Sequence, residues 1–184
     1  MVSIMKEKPR ILKSQTVASS RLFEVEQLDL EFSNGVTTAY ERLRSRSHGA
    51  VLVVPMLDDD TVLLVREYAA GVHRYELALP KGRVEAGEDM HEAANRELKE
   101  EIGYGALQLR TLNRLTLAPG YFSHVTDIIL AEDLYPQRLA GDEPEPIEVV
   151  PWSLARLDEL FLRDDCTEAR SIAALYMARD LLMG

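Results

Sequence analysis

Short apolar runs broken by turn residues fill most of this chain, and helical spacing is confined to three stretches. Ile11–Val17 and Leu22–Phe32 read as strands. Phe23 and Val25, then Leu28, Leu30 and Phe32, alternate through a change of phase near Gln27 that predicts a bulge, with Phe23 expected in the core. Asn34-Gly35 predicts a hairpin turn returning through Val36–Arg44. Ala50–Leu57 and Thr61–Val65 are almost continuously apolar around Asp58-Asp59-Asp60, the pattern of central strands covered on both faces. Tyr75–Leu79, Leu107–Leu117, Val125–Ala131 and Ile147–Val150 read as further strands. Helical periodicity runs through Met90, Ala93, Ala94, Leu98 and Ile102, and helices close the chain at Ser153–Leu162 and Thr167–Met183, with Ser153 and Thr167 as expected caps. This order predicts an α/β fold: a mixed sheet flanked by helices, residues 47–184, preceded by an antiparallel β extension, residues 1–46. A meander that small must pack on the main body or on a second subunit.

The chemistry concentrates where the first helix ends. Asp89 and Glu92 form a capping box at its start, and Gly103 stands where the chain needs φ > 0 to leave it. Glu97, Glu100 and Glu101 share one narrow arc of the helix. Like charges at these spacings repel by about 0.2–0.5 kcal/mol per pair even on an isolated helix. A compensating cation is therefore expected, and hard carboxylate oxygens suit Mg²⁺ or Mn²⁺. Glu97 and Glu101 are the first-choice ligands, with Glu100 completing the cluster. Arg96 can reach both Glu100 and the loop acid Glu88, fixing the loop over the helix.

The whole stretch Gly82–Tyr104 resembles the Nudix box, G-x5-E-x7-R-E-U-x-E-E-x-G-U with U bulky and aliphatic. Gly82, Glu88, Arg96, Glu97, Leu98, Glu100, Glu101 and Gly103 match, and Tyr104 departs from the aliphatic position. At average residue usage the seven Gly, Glu and Arg positions coincide by chance with a frequency on the order of 10⁻⁹–10⁻⁸ per start site. Beyond the box, LVREYAAGVHRYELALPKG, APGYFS, GDEPEPIEV and EARSIAALYMARDLL are similar to the ADP-ribose pyrophosphatase branch of the Nudix family, from about Val17 onward.

The resemblance implies an α/β/α sandwich that uses Mg²⁺ to hydrolyse ADP linked to another moiety, releasing AMP. It also implies a homodimer formed through the N-terminal sheet. The backbone carbonyl of Lys81 becomes a further metal ligand, and Glu88 and Arg96 hold the loop. Relatives carry a general base on a late acidic loop, which here is Gly141–Ile147, so Glu143 or Glu145 is the base. Glu100 or Glu101 serves if that loop does not close, and His124 occupies a place where some relatives carry an acid. Arg46 corresponds to a substrate-binding arginine. Arg66 follows a buried strand into the loop toward the box, where a guanidinium could grip phosphate. Glu67-Tyr68-Ala69 stands where many relatives have Q-[YF]-R, which argues against strict ADP-ribose specificity. Tyr40, Tyr68, Tyr121 and Phe122 are available to stack on adenine. Two alternatives share the box: hydrolysis of nucleotide sugars such as GDP-mannose, and a binding module that senses a nucleotide without cleaving it. Retention of every box carboxylate argues against the second.

Composition narrows the partners. The 184 residues carry a formal net charge of −10, which opposes binding a nucleic acid polymer through its backbone. A small phosphorylated substrate remains compatible, because metal ions and local arginines can reverse the sign within one cleft. No apolar run approaches the ~20 residues of a membrane span, and Met1–Arg10 lacks the apolar core of a signal peptide. Cys166 is the single cysteine and is expected to have no chemistry, and the cytoplasm is the expected location.

Overall fold

Alternate residues of the central strands point to opposite faces, and each face meets a different set of helices. The computed structural model describes residues 7–44 and 49–184. These fall into two compact units, the first holding residues 7–44 together with Ala118–His124, the second residues 49–117 and Val125–Gly184.

The second unit contains two sheets. One has the order β7(Lys81–Arg83), β4(Ala50–Pro55), β9(Val125–Pro136), β8(Tyr104–Thr116); the other β10(Glu148–Ser153), β5(Thr61–Ala69), β6(Arg74–Ala78). β4 and β9 pair in parallel and the remaining partners antiparallel, so the larger sheet is mixed. All six residues of β4 are buried, as the continuous apolar run predicts. Leu52, Val54, Ile128 and Leu130 point toward α2(Leu157–Phe161) and α3(Ala169–Met183), in a cluster with Leu160 and Leu175. Val51, Val53 and Ile129 point the other way, onto Ala93, Ala94, Leu98 and Ile102 of α1(Met90–Glu101) and its end. Helices on both faces of the strands make the α/β/α sandwich.

The first unit is a sheet of order β1(Arg10–Ser19), β2(Glu24–Glu31), β3(Thr37–Arg44). Asn34-Gly35 turns the chain as expected: Gly35 takes φ +80°, its N–H donates to the Phe32 carbonyl, and Asn34 Oδ1 accepts from Val36 N–H. The segment 118–124, expected only as a turn, joins this unit, with Leu43 N–H donating to the Tyr121 carbonyl at 2.8 Å. Glu26 and Leu28 alone are buried among the described residues of the unit.

Several expectations are corrected. The register shifts lie on β1, between Ile11 and Lys13 and between Thr16 and Ala18, whereas β2 pairs regularly with β3 through Gln27. Phe23 is 55% exposed instead of core, because it precedes β2 and nothing among the described residues covers it. Ser153 caps nothing. A short 3₁₀ turn, Leu154–Arg156, follows it, and Asp60 from a distant turn accepts the Leu154 and Ala155 N–H groups. Thr167 gives its N–H and hydroxyl to buried Glu76, so the cap of α3 passes to Glu168, which accepts from Arg170 and Ser171 N–H. Lys81–Arg83, expected to lead into a loop, is an edge strand of the larger sheet.

Candidate active site

Helix α1 begins and ends by the local rules read from its sequence. Asp89 accepts from His91 N–H at 2.8 Å, and Glu92 returns a contact to Asp89 N–H, completing the capping box. Gly103 takes φ +76° and donates to the Leu98 carbonyl. Carbonyls at and just past the end of the helix receive the segment leading into the late loop: Leu139 N–H donates to Lys99 O and Gln137 N–H to Gly103 O, each at 3.0 Å. The acidic loop is thereby fastened to the acidic end of the helix.

Arg96 binds the box together. Its Nε and Nη2 grip both oxygens of Glu88 at 2.9 and 3.1 Å, and Nη2 also donates to the Arg83 carbonyl. Nη1 bridges Glu97 at 2.8 Å and Glu100 at 3.0 Å. The guanidinium holds the Glu88 carboxyl below its ordinary range.

Glu97 and Glu101 project inward from the same face as the core residues. Burial pushes both carboxyls up. For Glu97 the pull of Arg96 opposes that rise, and the charges of Glu100 and Glu143 add to it. Glu101 is 3% exposed and is pushed up to about 8, mainly by desolvation. Its Oε1 accepts a long 3.4 Å hydrogen bond from Lys81 N–H, while Oε2 is buried with no partner. A Cβ at Gly82 would meet the Glu97 carboxylate, which would have to shift to admit it.

A buried carboxylate oxygen with no donor is costly to retain. Among the described residues no three acidic, imidazole or thiol groups already converge as a metal site, because Arg96 stands between Glu97 and Glu100. The donor set nevertheless fits a hard divalent cation. It is all oxygen, it flanks the Lys81–Gly82 backbone, and it includes the unpartnered Glu101 Oε2.

The late loop lines a pocket of about 350 Å³ with Glu100, Glu143 and Glu145 on its wall. The two loop acids differ. Glu145 accepts from the Tyr75 hydroxyl at 2.5 Å and is turned toward β6. Glu143 lies over Gly141 beside Glu100, and its charge is felt at Glu97. Tyr75 was not singled out in the sequence, where its partner stands seventy residues away.

The other expected substrate contacts are scattered. Arg66 is paired through Nη1 with Asp165 at 2.5 Å and through Nε with Glu148 at 2.9 Å, so much of its fork already holds carboxylates. Arg46 lies outside the described residues. Tyr68 is half exposed, bonds His73 Nδ1 through its hydroxyl at 2.5 Å, and meets the Tyr75 ring edge-on. In the first unit Tyr40 lies near Phe32, Tyr121 is exposed, and His124 stacks on Phe122 at 5.3 Å. The Lys81 ammonium pairs with Glu67 at 2.7 Å, a contact the sequence reading did not foresee.

Comparison with known proteins finds matches over most of the chain. Residues 46–176 match the NUDIX domain, and residues 9–42 match the NudE-type Nudix hydrolase N-terminal domain. The ADP compounds hydrolase NudE of Escherichia coli (strain K12) is 52% identical over 178 residues, which are 97% of this chain and 95% of that protein. The ADP-ribose pyrophosphatase of Bacillus subtilis (strain 168) is 28% identical over 171 residues, 89% of this chain and 91% of the relative. A crystal structure of an ADP compounds hydrolase superposes with a TM-score of 0.90 at 50% identity, covering 99% of this chain and 98% of that one.

Proposed function

The chain belongs to the Nudix hydrolase family, and from that premise we propose that it hydrolyses the pyrophosphate bond of ADP compounds such as ADP-ribose, NADH and diadenosine polyphosphates, releasing AMP. Enzymes of this family generally use divalent metal ions; for this chain the proposed ion is Mg²⁺, with Mn²⁺ as a substitute. The observation that carries the reading is Glu101 Oε2, a buried carboxylate oxygen without a partner beside the box.

Glu97, Glu100 and Glu101 would hold the ion together with the Lys81 carbonyl. When bound, the ion neutralises the charge of the diphosphate and lowers the pKa of bound water. The chain's own residues do the rest. Arg96 keeps Glu97 and Glu100 in register while tying the loop to the helix through Glu88. Glu143 is proposed as the base, because Glu145 is engaged by Tyr75. As a water oxygen bonds to one phosphorus, the bridging P–O bond breaks and the water's proton passes to the Glu143 carboxylate. Arg46 and Arg66 are proposed to grip phosphate and Tyr68 to contact the nucleoside, Arg66 after leaving one of its two carboxylate partners.

Residues 47–184 form the proposed catalytic domain, with its box at 82–104, and residues 1–46 the extension through which two copies pair. Support for a homodimer comes from the N-terminal sheet, where Ile11, Leu12, Val17, Leu22, Phe23 and Tyr40 are exposed. No helix among the described residues is long and apolar enough to cross a membrane. The single cysteine fits the proposed cytoplasmic location.

The deciding experiment measures AMP release from ADP-ribose, NADH and diadenosine triphosphate, and GMP release from GDP-mannose, with Mg²⁺ and with EDTA. Metal-dependent AMP release from the adenine compounds is expected. Cleavage of GDP-mannose alone moves the assignment to nucleotide sugars, and binding without cleavage moves it to a sensor.

A further inference from the structure

Arg96 has nothing left to offer a substrate, since Glu88, Glu97, Glu100 and the Arg83 carbonyl share its guanidinium. A diphosphate entering beside these carboxylates adds negative charge to a cleft already crowded with it. A cation placed to receive it, besides the two arginines already proposed, is Lys81. Its side chain leaves β7 immediately before the box, and its charge favours the ionised form of Glu101 where every neighbouring acid opposes it.

The ammonium is held lightly. Among the described residues Glu67 is its one hydrogen-bond partner, which leaves two of its three N–H donors unused. Both side chains of the pair are partly open to solvent, and ion pairs in such settings contribute little. Glu67 also lies close enough for its charge to be felt at Glu101. A flexible four-carbon stem lets the ammonium change partners without moving the strand.

We infer that the Lys81 side chain is a substrate-binding residue, its ammonium leaving the Glu67 carboxylate for a phosphoryl oxygen of the substrate. Glu67 parks the cation while the cleft is empty. This role is separate from that of the Lys81 carbonyl, and it rests on the reading of the site as a pyrophosphate-cleaving one.

The test is a titration of the protein in EDTA with ADP-ribose and with inorganic pyrophosphate, beside KM and kcat for ADP-ribose in Mg²⁺. Lys81→Met should weaken binding and raise KM by about tenfold or more, as expected for loss of a charge-assisted hydrogen bond. Lys81→Arg should recover part of that. Glu67→Gln frees the ammonium and should leave binding unchanged or tighter. If the pair merely ties β7 to β5, both Lys81→Met and Glu67→Gln lower the melting temperature, and KM stays put; that result overturns the inference. So does Lys81→Met with wild-type binding and KM, or Glu67→Gln weakening binding as Lys81→Met does. Wild-type protein that cleaves no ADP compound overturns the proposed function instead, while the pyrophosphate titration still reads Lys81.

Discussion

The N-terminal sheet and the body carrying the box each leave something unfinished, and the two deficits differ in kind. In the sheet, apolar side chains stand in water: Phe23, Ile11 and Leu22 are exposed, and Leu28 is the single buried apolar residue among those described. In the body, apolar residues gather into two clusters on either side of the strands, and what lacks a partner is a charged oxygen, Glu101 Oε2. Exposed apolar surface calls for another protein surface, whereas a buried unpaired carboxylate calls for a cation. The contrast separates assembly from chemistry within one chain, and substitution can probe each side on its own.

The largest effect is expected at Glu101. Glu101→Gln should lower kcat for AMP release by about 10³-fold, the order seen when a group stabilising developing charge is removed. The same variant should melt higher than wild type in EDTA above about pH 8, where it removes a desolvated charge; a lower melting point there would refute the idea that the site is strained without its cation. Next is Arg96→Met. Leaving Glu88, Glu97 and Glu100 without their shared partner should cost about 3–5 kcal/mol in denaturant unfolding, as for other ion pairs broken by removing one side. A loss well under that would mean water replaces the guanidinium easily.

Phe23→Asp should act only on the other side of the comparison. Sedimentation is expected to show self-association weakened by about 2 kcal/mol or more, the scale of an aromatic anchor at an interface, with the unfolding midpoint of the body unchanged. An unaltered sedimentation coefficient would remove Phe23 from the interface.

The smallest effect, and the sharpest contrast, is in pH. Burial raises the Glu101 carboxyl from 4.5 to about 8, so the folded state holds its proton more tightly than the unfolded chain. That contribution is complete below about pH 4.5 and is lost as pH rises toward 8. In the N-terminal sheet, the hydrogen bonds from Ser14 and Arg42 lower the Glu26 carboxyl below 4.5. Its contribution is present above that value and is lost as acid protonates it. Thermal melts in EDTA should therefore flatten on the neutral side in Glu101→Gln and on the acid side in Glu26→Gln.

Much of the body was legible in the linear chain. The capping box, the φ > 0 glycines and the two-faced burial of β4 follow from interactions within a few residues or from side-chain periodicity. The carboxylate cluster was legible for the same reason, since 100° per residue brings Glu97, Glu100 and Glu101 together on any helix. The N-terminal sheet was harder to read: alternation marked its strands, but Phe23 looked like core because an apolar residue carries no label saying which molecule will cover it.

Sequence by itself determined the elements, the box and the family, all set by local geometry and by residue types at short, fixed spacing. Only the tertiary structure decided which charges distant in the chain meet. Glu145 against Tyr75, Asp60 at the start of the 3₁₀ turn, Arg66 between Glu148 and Asp165, and Lys81 on Glu67 all join different strands, loops or turns. Such pairs depend on strand register and on how sheets and loops stack, and neither has a period in the sequence. Burial, which pushes Glu101 up and leaves its second oxygen alone, exists only once the strands have closed around the helix.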